Sequence, residues 1–351
     1  MAKRHTNQNH KQKHGQFFTK NANQLLARFS HYLDNKNVID PFCGDWDLLN
    51  FAIENKALSV EGFDLEPKKE NTEKRDSILN PPDFRNKFLL TNPPYLCSNK
   101  NKDKSAYDKW GYNDLYKCHI ASFVGQLDEG ILILPSNFLS ESSSKTRDLF
   151  FSHYTIVDCD YYYYSVFPGV TTGITVFYFK KDNSGNKSFP CKIHYSPTEI
   201  VETTVDISRE YGWLYGKHFF DFINDMDKPV KKWTGKEKGY LSNVVIGLLD
   251  KGKWKQGFSI NLEDPIVCSD TTFTTYQMVL DVELPISIQE QVVELANDKM
   301  QYFRNLYHGL FLSNFMGANQ KIYSRTMLHG LFWKCLEITL NKHNKNNEIL
   351  G

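Results

Sequence analysis

Short apolar runs recur through the first half of the chain, and each ends at a turn-forming residue. Val38-Ile39 runs into Asp40-Pro41, Ser59-Val60-Glu61-Gly62-Phe63 into Asp64, and Phe88-Leu89-Leu90 into Thr91-Asn92-Pro93-Pro94-Tyr95. Ile131-Leu132-Ile133-Leu134 stops at Pro135. Runs this short, apolar on both faces, read as strands buried in a parallel sheet. Helical spacing lies between them. Leu25, Leu26, Phe29, Tyr32 and Leu33 form one stripe, and Tyr116, Ile120, Phe123, Val124 and Leu127 form another behind Asp114 as cap. The alternation predicts an α/β fold with a mainly parallel, doubly wound sheet.

The second half is less regular. The polar, turn-rich stretch Lys181 to Asn186 marks the expected boundary between a domain over 15–182 and another over 187–351. Ser287-Ile288-Gln289-Glu290 has the form of a capping box. Val292, Leu295, Lys299, Phe303, Leu306 and Leu310 behind it predict one long amphipathic helix, packed within the domain. The aromatic run Tyr161 to Tyr164 reads as core or sheet-surface packing.

Composition narrows the class. A chain of 351 residues with 24% charged and 40% hydrophobic residues is an ordinary globular protein long enough for two domains. A net charge of +1 does not advertise a polyanionic partner, but its distribution is uneven. Lys3, Arg4, Lys11, Lys13, Lys20 and Arg28 precede the first acid, Asp34, so a basic flexible arm over 1–14 is expected to suit phosphate contact. Seven scattered cysteines give neither zinc spacing nor an even disulfide framework. With no signal-peptide pattern and no apolar run long enough for a bilayer, the expectation is a cytoplasmic protein with no metal and no membrane partner.

The candidate chemistry sits at the strand ends. Asn92-Pro93-Pro94-Tyr95 offers an amide oxygen and a carbonyl held by two fixed φ angles, with a ring beside them. Two such acceptors, aimed at the N–H bonds of a planar amine or amide, would free its delocalised lone pair for attack. Tyr95 could stack on the face of a base. Upstream, Asp40 to Gly44 reads as a strand running into a glycine turn, where doubly wound sheets hold nucleotide-like cofactors. Asp64 is placed to accept ribose hydroxyls, and Asp76 to accept from an adenine amino group. Lys100, Lys102, Lys104 and Lys109, interleaved with Tyr107, Trp110 and Tyr112, suggest a nucleic-acid-binding loop beside the catalytic one. Lys251, Lys253, Lys255, Gln256, Gln320 and Arg325 are candidates for base-edge contacts.

Taken together these segments resemble the S-adenosylmethionine-dependent DNA adenine-N6 methyltransferases of type II restriction–modification systems, over roughly residues 15 to 180. The match is to the class with cofactor motifs first and a carboxyl-terminal target-recognition region. The resemblance implies a Rossmann-like methyltransferase domain followed by a DNA-binding domain. It implies S-adenosylmethionine held by Phe18, Thr19, Asp40, Pro41, Phe42, Gly44, Asp64, Leu65, Asp76 and Asn92. It implies catalysis by Asn92, Pro93, Pro94 and Tyr95, with Phe167 stacking on the far face of a flipped adenine. Duplex DNA, and a cognate restriction endonuclease as a separate chain, are the implied partners of a monomer. One position departs from the family: Trp46 stands where a second loop glycine is usual, so either it packs beside the methionine portion or cofactor affinity is reduced. A protein-glutamine or RNA-adenine N-methyltransferase is the main alternative, and a non-catalytic DNA-binding module the second.

Overall fold

The computed structural model describes residues 22–167, 173–184, 186–224, 231–250, 254–268, 274–315 and 320–350. The chain divides into two compact units. The first runs through Trp213, apart from residues 140–142, which group with the second; the second begins at Leu214.

The first unit is an α/β layer structure around one nine-stranded sheet. Its strands are β1 (Asn37–Asp40), β2 (Ser59–Asp64), β3 (Thr72–Lys74), β4 (Phe88–Thr91), β5 (Glu129–Pro135), β6 (Tyr154–Tyr162), β7 (Ile174–Lys181), β8 (Asn186–His194) and β9 (Ile200–Ser208). Their spatial order is β3-β2-β1-β4-β5-β7-β6-β8-β9. Strands β1 to β5 are parallel to one another, and β7 runs antiparallel between β5 and β6. The apolar runs become strands because both faces are covered: every residue of β4 is buried, as are the last six of β5. Each Leu or Phe buried in this way contributes roughly 1.5–3 kcal/mol. The helix Ala22–Leu26, continued by a tighter turn over Ala27–Leu33, lays Leu25, Leu26, Phe29 and Leu33 into that core.

The chain winds outward from β1 to β3, then restarts at β4 on the other side of β1. The crevice at the carboxyl ends of β1 and β4 is therefore the topological switch point, where open α/β sheets bind ligands.

The expected boundary at 181–186 falls inside this unit. That polar stretch is the turn from β7 to β8, and β8 pairs with β6 in parallel while β9 closes the edge. The sequence signalled a turn correctly; only strand pairing reveals that the sheet continues past it. The run Tyr161–Tyr164 packs as expected, with Tyr161 and Tyr162 buried, Tyr162 stacked on His194 and Tyr163 on Tyr195.

The second unit carries a four-stranded antiparallel sheet, Lys231–Lys232, Thr275–Leu280, Tyr240–Gly247 and Gly257–Ile260 in spatial order. Two long helices accompany it, Ile286–Leu306 and Arg325–Leu350. Val244, Ile246, Tyr276 and Met278 share a core with Val292, Phe303, Leu328 and Phe332. The long helix is present, but its start is not the expected box. Pro285 precedes it, and Gln289 is buried, accepting from Asn243 N–H at 2.7 Å and donating to Leu284 O at 2.8 Å. The buried face is Val292, Val293, Ala296, Met300 and Phe303; Leu310 lies beyond the last turn.

Candidate active site

Four neighbouring strand ends deliver polar side chains to one cavity of about 310 Å³ in the first unit. Asp40 closes β1, Asp64 closes β2, Asp76 follows β3 and Asn92 follows β4. All four line the cavity, together with Phe42, Gly44, Leu65, Ser77, Pro94 and Leu96 among others.

Asp40 is 1% exposed. Its Oδ1 accepts from Phe42 N–H at 3.0 Å and from the Thr91 hydroxyl at 2.7 Å, which ties the ends of β1 and β4 across the switch point. Its Oδ2 is buried without a hydrogen-bond partner. Burial pushes this carboxyl up to about 7, partly countered by the Thr91 and Phe42 bonds. Asp64 accepts from Gly44 N–H at 3.0 Å and from Glu66 N–H at 2.8 Å. Each of its oxygens keeps a second lone pair for a hydroxyl donor. Asp76 accepts from the N–H groups of Ile78 and Leu79, at 3.1 and 2.9 Å, and so shapes the turn on which it sits. Ser77, next to it, has a buried hydroxyl with no partner. Two orphaned buried polar atoms among the lining residues, one of them anionic above neutral pH, suit a polar ligand with a cationic group. S-adenosylmethionine fits this donor set: Asp40 for a cation, Asp64 for ribose hydroxyls and Asp76 for an amino group. Gly44 and Trp46 shape the loop between them.

Trp46 takes neither course expected of it. Its backbone adopts the left-handed conformation, φ 70° and ψ 15°, that a glycine would supply without strain. Its side chain turns from the cavity. The indole N–H donates to Thr72 Oγ1 at 2.6 Å, and the ring packs on Gly62, where an added Cβ would lie 2.8 Å from Leu49 Cδ1 and 3.3 Å from the indole nitrogen. The glycine of β2 makes room for the tryptophan of the loop.

The Asn-Pro-Pro-Tyr loop is held from behind. Asn92 is 8% exposed and Pro93 is buried. The Tyr95 hydroxyl lies within donating reach of two oxygens, Asn92 Oδ1 and the Ile133 carbonyl, the latter at 2.6 Å. Burial raises Tyr95 well above an ordinary phenol, with Asp114 adding to the effect, so it keeps its proton. Asp114 accepts from Leu96 N–H at 3.2 Å and from the Cys97 thiol at 3.0 Å, fastening the far end of the loop.

Three expectations are corrected here. Phe167 is 6% exposed and packs in the apolar cluster with Leu25, Leu26 and Phe29, outside the cavity lining; its ring belongs to the core, which excludes the expected stacking role in this arrangement. The basic–aromatic segment 98–113 is a cavity wall. Tyr107 is buried with its hydroxyl on Leu96 O at 2.9 Å, the Trp110 indole donates to Ile78 O at 2.8 Å, and Lys109 donates to Leu79 O. Asn101, Asp103, Ser105 and Ala106 from this segment line the cavity. Arg28, expected in a phosphate-binding arm, instead binds Asp158 and Asp160. Phe18, Thr19, Pro168–Thr172, Lys251, Lys253 and the arm 1–14 lie outside the described residues. Among the described residues no His, Cys, Asp or Glu group forms a metal site and no helix is long and apolar enough to cross a membrane.

Sequence reading overlooked Ser77 and the wall residues Asn101 to Ala106. Ser77 had a signal, being adjacent to Asp76 at a strand end; the wall had none, because only its fold turns its lysines outward.

No protein-family model and no curated protein sequence matches the chain. Solved structures are similar in part. A protein described as the modification subunit of a type I restriction enzyme from Vibrio vulnificus YJ016 is 13% identical with a TM-score of 0.42, over 62% of this chain and 54% of that one. The type I restriction enzyme EcoKI M protein is 14% identical with a TM-score of 0.41, over 52% and 50%. The type I restriction-modification methyltransferase subunit from Streptococcus thermophilus is 15% identical with a TM-score of 0.39, over 51% and 48%. The chain spans about half the length of these structures.

Proposed function

We propose that the chain is an S-adenosylmethionine-dependent methyltransferase acting on the N6 amino group of adenine in a short duplex DNA site, as the modification enzyme of a type II restriction–modification system. The observation that carries this reading is the convergence of Asp40, Asp64, Asp76 and Asn92, from four successive strand ends, on one cavity at the switch point.

The cofactor supplies an electrophilic methyl group on a sulfonium. The chain's own residues do the rest. The Asp40 carboxylate balances the cationic end, and Asp64 and Asp76 fix the nucleoside end. Asn92 Oδ1 and the Pro93 carbonyl accept from the two N–H bonds of the amine, so that its lone pair is released as the nitrogen moves toward tetrahedral geometry. A base inside a duplex cannot present its amine to a cavity of this kind, so adenine rotates out of the stack at a cost of a few kcal/mol. Tyr95 is the ring nearest the accepting atoms and takes one face of the base; Phe167 is not assigned to the other. The second unit is the proposed target-recognition domain, and a cognate endonuclease is a separate chain.

The test is transfer of a labelled methyl group to duplex DNA, RNA and protein, with long-read sequencing of DNA from cells expressing the chain. N6-methyladenine in a fixed sequence context is expected. Label in RNA or in a glutamine side chain, with none in DNA, would replace the substrate while keeping the chemistry. No transfer to any of them would end the proposal.

A further inference from the structure

Resting on the methyl-transfer reading above, we propose that Tyr95 is a positioning residue: its hydroxyl orients the Asn92 amide so that an acceptor, not a donor, meets the substrate.

The argument is a proton count. The Tyr95 oxygen has Asn92 Oδ1 and the Ile133 carbonyl as neighbours, and a phenol has one hydrogen to give. Burial keeps that hydrogen in place. The Ile133 carbonyl belongs to the main chain of β5 and can only accept. If Asn92 also presented oxygen, two acceptors would face each other in a buried site with no hydrogen between them. Amide oxygen and nitrogen have the same shape, so a half-turn about Cβ–Cγ exchanges them without disturbing the packing.

With that half-turn the chain of bonds closes. Asn92 Nδ2–H donates to the Tyr95 oxygen, and Tyr95 O–H donates to Ile133 O. Oδ1 is then the atom turned away from the phenol, and polarisation along the chain strengthens it as an acceptor. The relay therefore selects the substrate class. A planar group bearing an NH₂, such as an exocyclic ring amine or a carboxamide, is matched; one presenting a carbonyl oxygen in the same place meets another acceptor and is rejected.

Tyr95→Phe separates the hydroxyl from the ring. The expected result is a kcat lower by about tenfold to a hundredfold, the effect of one hydrogen bond that orients a reacting group. The KM for duplex DNA, the calorimetric Kd for S-adenosylmethionine and the signal of a fluorescent base analogue at the target stay within about twofold. In a selectively ¹⁵N-labelled protein, the two Asn92 side-chain amide protons are expected to be well separated in the wild type and to converge in Tyr95→Phe. An unchanged kcat with unchanged Asn92 resonances would overturn the relay. So would equal losses in kcat, DNA affinity and analogue signal, since these would make the hydroxyl a packing element. The resonance measurement needs no turnover, so it tests the relay even if the wild type methylates nothing.

Discussion

The glycine loop and the Asn-Pro-Pro-Tyr loop border the same cavity and are held by opposite means. In the glycine loop the carboxylates of Asp40 and Asp64 grip the backbone N–H groups of Phe42, Gly44 and Glu66, and the same carboxylates line the cavity. Holding the loop and binding a ligand fall to the same atoms. In the Asn-Pro-Pro-Tyr loop, Asn92 faces the cavity while Ile133 and Asp114 restrain the loop from outside the lining. Support and chemistry are separate there. Substitutions in the first loop should therefore disturb fold and affinity together, whereas those in the second should affect rate alone.

The largest effect is expected at Asn92. Asn92→Ala removes one preorganised acceptor and should lower kcat by about 10²–10³, roughly 2.7–4 kcal/mol, while calorimetric affinity for S-adenosylmethionine falls far less. Comparable losses in both would erase the contrast between the loops.

Next comes Trp46→Gly. Losing the indole from its place on Gly62 and Thr72 should cost several kcal/mol, offset in part by relief of the left-handed backbone, leaving a net destabilisation of roughly 2 kcal/mol by denaturant titration. A gain in stability would show that the tryptophan is tolerated rather than used.

Asp40 supplies a pH dependence of about 1.4 kcal/mol. Its carboxyl titrates at about 7 because burial disfavours its charge. Only the ionised form attracts a cation, so affinity for S-adenosylmethionine should fall about tenfold from pH 8 to pH 6. In the absence of ligand the sign is opposite for stability: the folded state binds the extra proton between the unfolded value near 4 and about 7, so this group's contribution weakens as pH rises through that window. Asp40→Asn should flatten the affinity profile; a profile as steep as the wild type's would place the titrating group elsewhere.

The smallest effect should come from Lys109→Ala. Lys109 is engaged with Leu79 O in the cavity wall, so DNA affinity and its salt slope should move by less than about twofold in a binding isotherm series. A slope reduced by about one would return segment 98–113 to the DNA surface.

The sheet and the four convergent side chains were legible because each rests on local signals: an apolar run buried on both faces, then a turn residue with a short polar side chain. What was missed depends on pairing between distant segments. The turn at 181–186 looks the same whether a domain ends or a sheet continues, and only the β6–β8 pairing decides. Phe167 sits in a strand-end pattern that serves a core or a binding slot equally well. The rings of 98–113 turn inward because the carbonyls of Ile78, Leu79 and Leu96 are there to receive their polar tips, an arrangement no spacing rule encodes.

Ile133 contributes to the candidate site through an atom that every amino acid possesses. Exchange of its side chain for another apolar one leaves that oxygen untouched, whereas a shift of β5 by one residue would remove it. Drift at this position would thus be silent in any aligned set of sequences, while an insertion or deletion upstream in the strand would inactivate the enzyme without altering a single active-site letter.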